Sequence, residues 1–108
     1  METGIEQKTK REKKQVNIGI HADIYNALIR VKKQYGYKSY SAIIDTLIDE
    51  FGNVDLMNVD ASDRGDRGEY LYLALARPTY ERLTQLYRKY RMTYDMIVYK
   101  LMKLKGWM

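Results

Sequence analysis

Several residue types are scarce in this chain of 108 residues, and each scarcity excludes a class of site. Cysteine is missing, which excludes disulfides, thiolate metal sites and a cysteine nucleophile. The single histidine, His21, excludes any site that needs two imidazoles, and its place after an apolar alternation suggests a helix cap rather than a ligand. One proline and seven glycines indicate a chain made mostly of regular secondary structure.

The hydropathy pattern and the available side chains also point away from a membrane and from catalysis. No apolar run approaches the roughly 20 residues that a membrane-spanning helix needs, and the first residues are charged rather than typical of a signal peptide. We therefore expect a cytoplasmic protein with no membrane partner. The chain offers no convergent set of His, Cys and carboxylate residues and no phosphate-binding loop, so we expect no enzyme, metal or cofactor.

The charges are unevenly distributed along the chain. The formal net charge is +5, but residues 52–69 hold five acidic and two basic residues, whereas residues 70–108 hold eight basic and two acidic ones. Residues 8–14 are strongly basic, and Lys13 and Lys14 are candidates to neutralise the phosphates of a nucleic acid. The alternative for this basic arm is a solvated tail without a partner.

The second half of the chain repeats the first. Residues Val16–Ile20 alternate apolar with small or polar residues, and Leu71–Leu75 do the same 55 positions later. Past a turn the offset becomes 54, where Ser39–Ile44 align with Thr93–Val98. The same succession of strand, helix, turn and helix in both halves indicates two related units.

Each unit predicts one strand and two helices. In the first unit the alternation predicts a strand over 15–20, and a helix follows from about residue 22 to a stop at Gly36. Ser39 is placed to cap a second helix over 40–51. The apolar stripe of the first helix consists of Ile24, Leu28, Val31 and Tyr35.

The second unit follows the same pattern, with a strand over about 70–76, Pro78 as an early helical residue and Thr93 as the cap of the last helix. The predicted organisation is a basic arm at 1–12, a first unit at 13–51, an acidic linker at 52–68 and a second unit at 69–108. Each unit is too small to fold alone, and a lone strand leaves its backbone unpaired.

The two strands must therefore find partners. They can pair within one chain, because the linker is long enough to bring the second strand antiparallel to the first, or like strands can pair between chains. We favour pairing within the chain.

This layout resembles the ribbon-helix-helix family, here with two units in tandem. Lys14–Ile20 matches the family's ribbon, and Ser39–Ile44 matches the start of its second helix. The family includes the Arc and MetJ repressors, which place strands in a DNA groove. The chain also looks like small transcription regulators carried by archaeal viruses and plasmids. The resemblance implies a mainly α fold with a short, antiparallel two-stranded β-ribbon.

The resemblance further implies a sequence-specific regulator of transcription, such as a repressor, that binds double-stranded DNA at a pseudo-palindromic operator. Transferred residue by residue, the base contacts come from the strand positions Gln15, Asn17, Gly19, Tyr70 and Tyr72. The phosphate contacts at the starts of the second helices come from Ser39, Tyr40, Ser41, Thr93 and Tyr94.

The chemistry of these residues differs between the units. Amide side chains such as Asn17 can bond bidentately to adenine, and Gly19 permits close approach. Tyr70 and Tyr72 can contact thymine methyls or phosphates, or can instead pack on another protein. Asp95 departs from the family pattern, since a carboxylate at this position repels a phosphate. The alternative is that Asp95 caps its own helix. We therefore expect the first unit to read sequence and the second to contribute charge and structure.

Two other functions remain open on the sequence alone. One is an antitoxin-like protein-interaction module, and the other is a nonspecific architectural DNA-binding protein.

Overall fold

A computed structural model describes residues 15–108 of the chain. Its elements in order are β1 (Gln15–His21), α1 (Ala22–Tyr35), α2 (Tyr40–Phe51), a short 3-10 helix (Leu56–Asn58), β2 (Tyr70–Ala76), α3 (Arg77–Tyr90) and α4 (Tyr94–Lys105). This part of the protein is mainly helical with one two-stranded antiparallel sheet, as predicted. The predicted arm at 1–12, Lys13 and Lys14 lie outside the described residues.

The two strands pair with each other along their whole length. β1 runs antiparallel to β2, with seven residue pairs from Gln15–Ala76 at one end to His21–Tyr70 at the other. Because side chains alternate across a strand, one face of this ribbon carries the apolar residues. Ile18 and Leu73, which are opposite each other in the register, are buried on that face.

The predicted helix boundaries are confirmed, because each is set by hydrogen bonds between residues that are close in the sequence. Ser39 Oγ accepts a hydrogen bond from the Ala42 N–H at 3.1 Å, and Thr93 Oγ1 accepts one from the Met96 N–H at 3.1 Å. Gly36 ends α1 in the left-handed conformation, with φ of 71°. At the corresponding end of α3 a non-glycine residue, Arg91, adopts the same region with φ of 53°.

A single hydrophobic core joins both halves of the chain. The four helices and the inner face of the ribbon contribute to one buried cluster. The predicted stripe of α1 is confirmed for its first three residues, but Tyr35 is 55% exposed. Its ring lies 5.6 Å from that of Trp107, so the last turn of α1 supports the C-terminal residues rather than the core. The largest fully buried side chains are those of Ile20, Ile24, Leu28, Ile43, Ile44, Leu47, Leu56, Leu73, Leu75, Leu83, Ile97 and Leu101.

The segment between the two halves lies against α4. Leu56 is fully buried, and the buried Lys100 Nζ donates to its carbonyl oxygen at 2.9 Å. Lys103 Nζ donates to the Asp60 carbonyl at 2.6 Å and to the Asp63 carboxylate at 2.7 Å. Lysines of the basic last helix therefore hold the acidic connecting segment in place.

Arg64 fixes this segment to both halves at once. Its side chain is 2% exposed, and its guanidinium lies 2.6 Å from the carboxylate of Asp23 in α1 and 2.6 Å from that of Asp95 in α4. The guanidinium also lies 4.8 Å from the centre of the Tyr99 ring. Two carboxylates from the first turns of two different helices thus share one buried cation from the connecting segment.

Replacement of this cation should destabilise the protein strongly. In Arg64→Met the apolar volume is kept while Asp23 and Asp95 lose their partner, and removal of one member of a buried ion pair typically costs about 3–5 kcal/mol. Urea unfolding at neutral pH, followed by circular dichroism, measures the loss. Arg67→Met, at an exposed position of the same segment, is the matched control and should change the free energy of unfolding by less than about 0.5 kcal/mol. Equal effects of the two substitutions would contradict the role of Arg64.

Candidate nucleic-acid interface

The outer face of the ribbon brings together the five side chains predicted to contact bases. Gln15 and Asn17 are exposed on β1, and Tyr70 and Tyr72 of β2 are 56% and 71% exposed. Gly19 lies on the same face and is partly buried. Since the opposite face packs on the core, this outer face is the part of the sheet that a partner molecule can reach.

The space above Gly19 is occupied by the ring of Tyr70. A Cβ atom added to Gly19 would lie 1.8 Å from the Tyr70 hydroxyl oxygen. The Tyr70 ring also makes edge contacts with His21 and Tyr72, with centroid distances of 5.2 Å and 6.0 Å. The missing side chain of Gly19 therefore makes room for Tyr70 within the molecule, a role that the sequence did not indicate.

The N-terminus of α2 is fastened to one end of the ribbon. Ser41 Oγ accepts a hydrogen bond of 2.7 Å from the N–H of Ala76, the residue opposite Gln15. Ser39 Oγ caps the helix. A hydroxyl that accepts a hydrogen bond still carries its own hydrogen, so Ser39 and Ser41 keep a donor for an anion beside the positive end of the helix dipole.

The N-terminus of α4 is fastened to the opposite end of the ribbon through a carboxylate. Asp95 Oδ1 accepts a hydrogen bond of 2.8 Å from the N–H of His21, the residue opposite Tyr70. Asp95 thus takes the position that Ser41 has in the first half. Thr93 caps α4, as predicted, whereas the Asp95 carboxylate binds the end of β1. The carboxylate is 4% exposed and faces inward.

Two opposing effects set the charge of Asp95. Burial acts to raise the pKa of Asp95, but hydrogen bonds from the Arg64 guanidinium and from His21 outweigh it and hold that pKa below its usual value. The His21 Nδ1 atom lies 3.0 Å from Asp95 Oδ1. His21 is the N-cap residue of α1, as predicted, although its side chain makes no capping hydrogen bond.

The tyrosines at the starts of α2 and α4 are held by the preceding helices. The centre of the Tyr40 ring lies 6.1 Å from that of Tyr25, and Lys32 Nζ lies 5.0 Å from the centre of the Tyr40 ring. Tyr94 stacks on Tyr87 at 5.0 Å. Both rings are half-buried, and the Tyr94 hydroxyl is hydrogen-bonded to Thr84 Oγ1 at 2.9 Å. Any contact with a phosphate therefore falls to the ring edges and to the Tyr40 hydroxyl.

The basic residues of the second half divide into paired and surface groups. Lys100 and Lys103 bind the connecting segment, and Lys105 Nζ lies 2.9 Å from Glu50. Arg88 and Arg91 line an open cavity of about 470 Å³ together with Tyr87, whose ring stacks on Tyr94 at the start of α4. Through the Tyr87–Tyr94 stack, this cationic cavity is connected to the start of α4.

Two kinds of feature are missing from residues 15–108. They contain no cluster of three or more acidic, histidine or cysteine side chains that could hold a metal ion. Within the same residues no helix combines the length and the apolar character needed to cross a bilayer.

The depressed pKa of Asp95 predicts how the stability depends on pH. A carboxyl group whose pKa is lowered on folding stabilises the folded state at pH values above its unfolded pKa, and this stabilisation is lost as the pH falls through the folded pKa. The difference in the free energy of unfolding between the native protein and Asp95→Asn should therefore be largest at neutral pH and should shrink below pH 3.8, the usual value for this group. Urea unfolding of both proteins between pH 7 and pH 2 measures it, and a difference that is constant over this range would contradict the prediction.

Comparison of the chain with protein-family models, with curated proteins and with solved structures finds no match. A functional assignment therefore depends on the residues and contacts of the ribbon and its two flanking helix N-termini.

Proposed function

We propose that the protein is a sequence-specific regulator of transcription that binds double-stranded DNA by placing its two-stranded ribbon in the major groove. In this proposal the halves β1-α1-α2 and β2-α3-α4 are two ribbon-helix-helix units that pair within one chain. The observation that carries the proposal is the exposure of Gln15 and Asn17 on the outer face of an antiparallel ribbon whose two ends are each bound by a helix N-terminus.

The dimensions and the side chains of the ribbon suit the major groove. A groove about 12 Å wide admits a two-stranded β-ribbon, and neighbouring strands are about 4.8 Å apart. The amides of Gln15 and Asn17 can each donate to N7 and accept from the exocyclic amine of adenine. Their cross-strand partners, Ala76 and Ala74, are small.

Phosphate binding is assigned to the helix N-termini. The backbone N–H groups at the start of a helix and its positive dipole end attract an anion, and the hydroxyls of Ser39 and Ser41 add donors at the start of α2. At the start of α4 the Arg64 guanidinium, which Asp95 shares with Asp23, offsets part of the charge of the inward-facing Asp95, so the carboxylate does not oppose a phosphate at full strength. Thr93 then offers a hydroxyl group at that end, whereas the Tyr94 hydroxyl is already hydrogen-bonded to Thr84 Oγ1 at 2.9 Å.

The overall charge supports the same partner. The net charge of +5 and pI of about 9.3 favour a polyanion. Binding that neutralises phosphates releases counterions, so the affinity should fall steeply as the salt concentration rises.

Removal of one amide should separate sequence reading from general DNA binding. Asn17→Ala should cost about 1–3 kcal/mol on the preferred DNA site and should blur the base preference at one position. Asn26→Ala is the matched control, because Asn26 is an exposed asparagine on α1 rather than on the ribbon. Binding to a panel of single-base variants of the site, measured by fluorescence anisotropy, gives both quantities.

The other outcomes each exclude part of the proposal. Equal weakening of Asn17→Ala on every sequence would contradict base reading and would favour a nonspecific architectural protein. Failure of the native protein to bind any duplex at low salt would contradict the proposed function as a whole.

A further inference from the structure

The outer face of the ribbon has two chemically different halves. The register places Gln15 beside Ala76 and Asn17 beside Ala74 at one end, which we call the amide half. Towards the other end, Gly19 faces Tyr72 and His21 faces Tyr70. We call this second group of four residues the aromatic half.

The amide half has hydrogen-bonding side chains that rise above small neighbours. Alanine extends only one carbon from the backbone, so Gln15 and Asn17 are the longest side chains of this half. Amides of this kind pair bidentately with the major-groove edge of adenine. The amide half is therefore suited to an A·T base pair whose adenine faces it.

The aromatic half has a different surface. Tyr72 is 71% exposed, and its ring contacts that of Tyr70, which extends over Gly19 towards His21. Exposed ring edges cannot make a bidentate hydrogen bond to a base, but they offer apolar contact. In the major groove the apolar group is the thymine methyl. The aromatic half is therefore suited to thymine methyls.

The flanking helices repeat this difference. Ser41 binds the Ala76 end, so the uncharged hydroxyls of α2 flank the amide half. Asp95 binds the His21 end, so the α4 N-terminus with its Asp95–Arg64 ion pair flanks the aromatic half. A phosphate on one side of the ribbon thus meets two serine hydroxyls, and a phosphate on the other meets a helix start that already holds a carboxylate.

We propose that the protein binds a non-palindromic DNA site in one fixed orientation, with adenine under the amide half and thymine methyls under the aromatic half. Palindromic sites mirror a two-fold symmetry of the protein. Here the paired strands belong to one chain, and the side chains at the two ends of the ribbon are not equivalent. This inference rests on the proposed function and departs from the pseudo-palindromic operator that the family resemblance implies.

Selection from random duplex DNA tests the site itself. A pool with a random central segment is enriched on the full-length protein and sequenced. We expect an enriched motif that differs from its reverse complement, with an adenine position at one end and consecutive thymines at the other. An enriched palindrome would overturn this inference and leave the proposed function intact. No enrichment above the starting pool would contradict the proposed function.

The orientation can be read directly because the native chain has no cysteine. A DNA-cleaving iron chelate attached to Lys38→Cys reports the side of α2, and one attached to Glu69→Cys reports the side of Tyr70; both positions are exposed. Each variant is first shown to keep the native affinity. We expect Lys38→Cys to cleave at the adenine end and Glu69→Cys at the thymine end. Equal cleavage at both ends by either variant would overturn the fixed orientation.

Two substitutions then assign the ends of the motif. Asn17→Ala should lower the affinity at least about fivefold for the native site, with no further loss when the adenine is replaced. Tyr72→Ala should weaken binding several-fold and remove the preference for thymine over uracil, which lacks the methyl group. Tyr72→Phe keeps the ring and should keep that preference. A Tyr72→Ala protein that still prefers thymine to uracil would overturn the assignment of the aromatic half.

Discussion

The backbone pairing of two strands that are far apart in sequence is the constraint on which the rest of the structure depends. Among residues 15–108, neither β1 nor β2 has another strand beside it, so along the edges that face each other the backbone N–H and C=O groups are satisfied by the partner strand. The register of this pairing decides which side chains face the core. It also places Ala76 beside Gln15 at one end and Tyr70 beside His21 at the other. At each end one backbone N–H group, that of Ala76 or that of His21, donates to a side chain at a helix start.

Those two N–H groups are satisfied by corresponding contacts of different chemistry. A hydroxyl accepts from Ala76, and a carboxylate accepts from His21. The hydroxyl is neutral and needs nothing more. The buried carboxylate needs a cation, and Arg64 supplies it from the connecting segment. The first half has Ser41 where the second half has Asp95. This single difference thus accounts in part for the ordered path of the connecting segment over α4.

Local features of the structure could be predicted from the sequence, whereas long-range ones could not. Strand alternation, the Ser39 and Thr93 caps and the helix end at Gly36 depend on a few neighbouring residues, and they are confirmed. Tyr35 continues the apolar stripe of α1 in the sequence but is exposed in the structure, because periodicity gives the face of a helix but not where the core ends. The outer-face position of Asn17 follows from alternation alone, but the ring above Gly19 depends on a residue 51 positions away. Arg64 has no local signal, because its partners lie 41 and 31 residues away in opposite directions.

The pairing of both strands within one chain also makes folding a unimolecular process. In a protein whose ribbon is built from two separate chains, the folded fraction falls on dilution, because assembly and folding are the same equilibrium. Here the ribbon and the shared core form from residues of one molecule, so dilution does not remove a partner strand. The concentration at which one strand meets the other is then set by the connecting segment and not by the protein concentration.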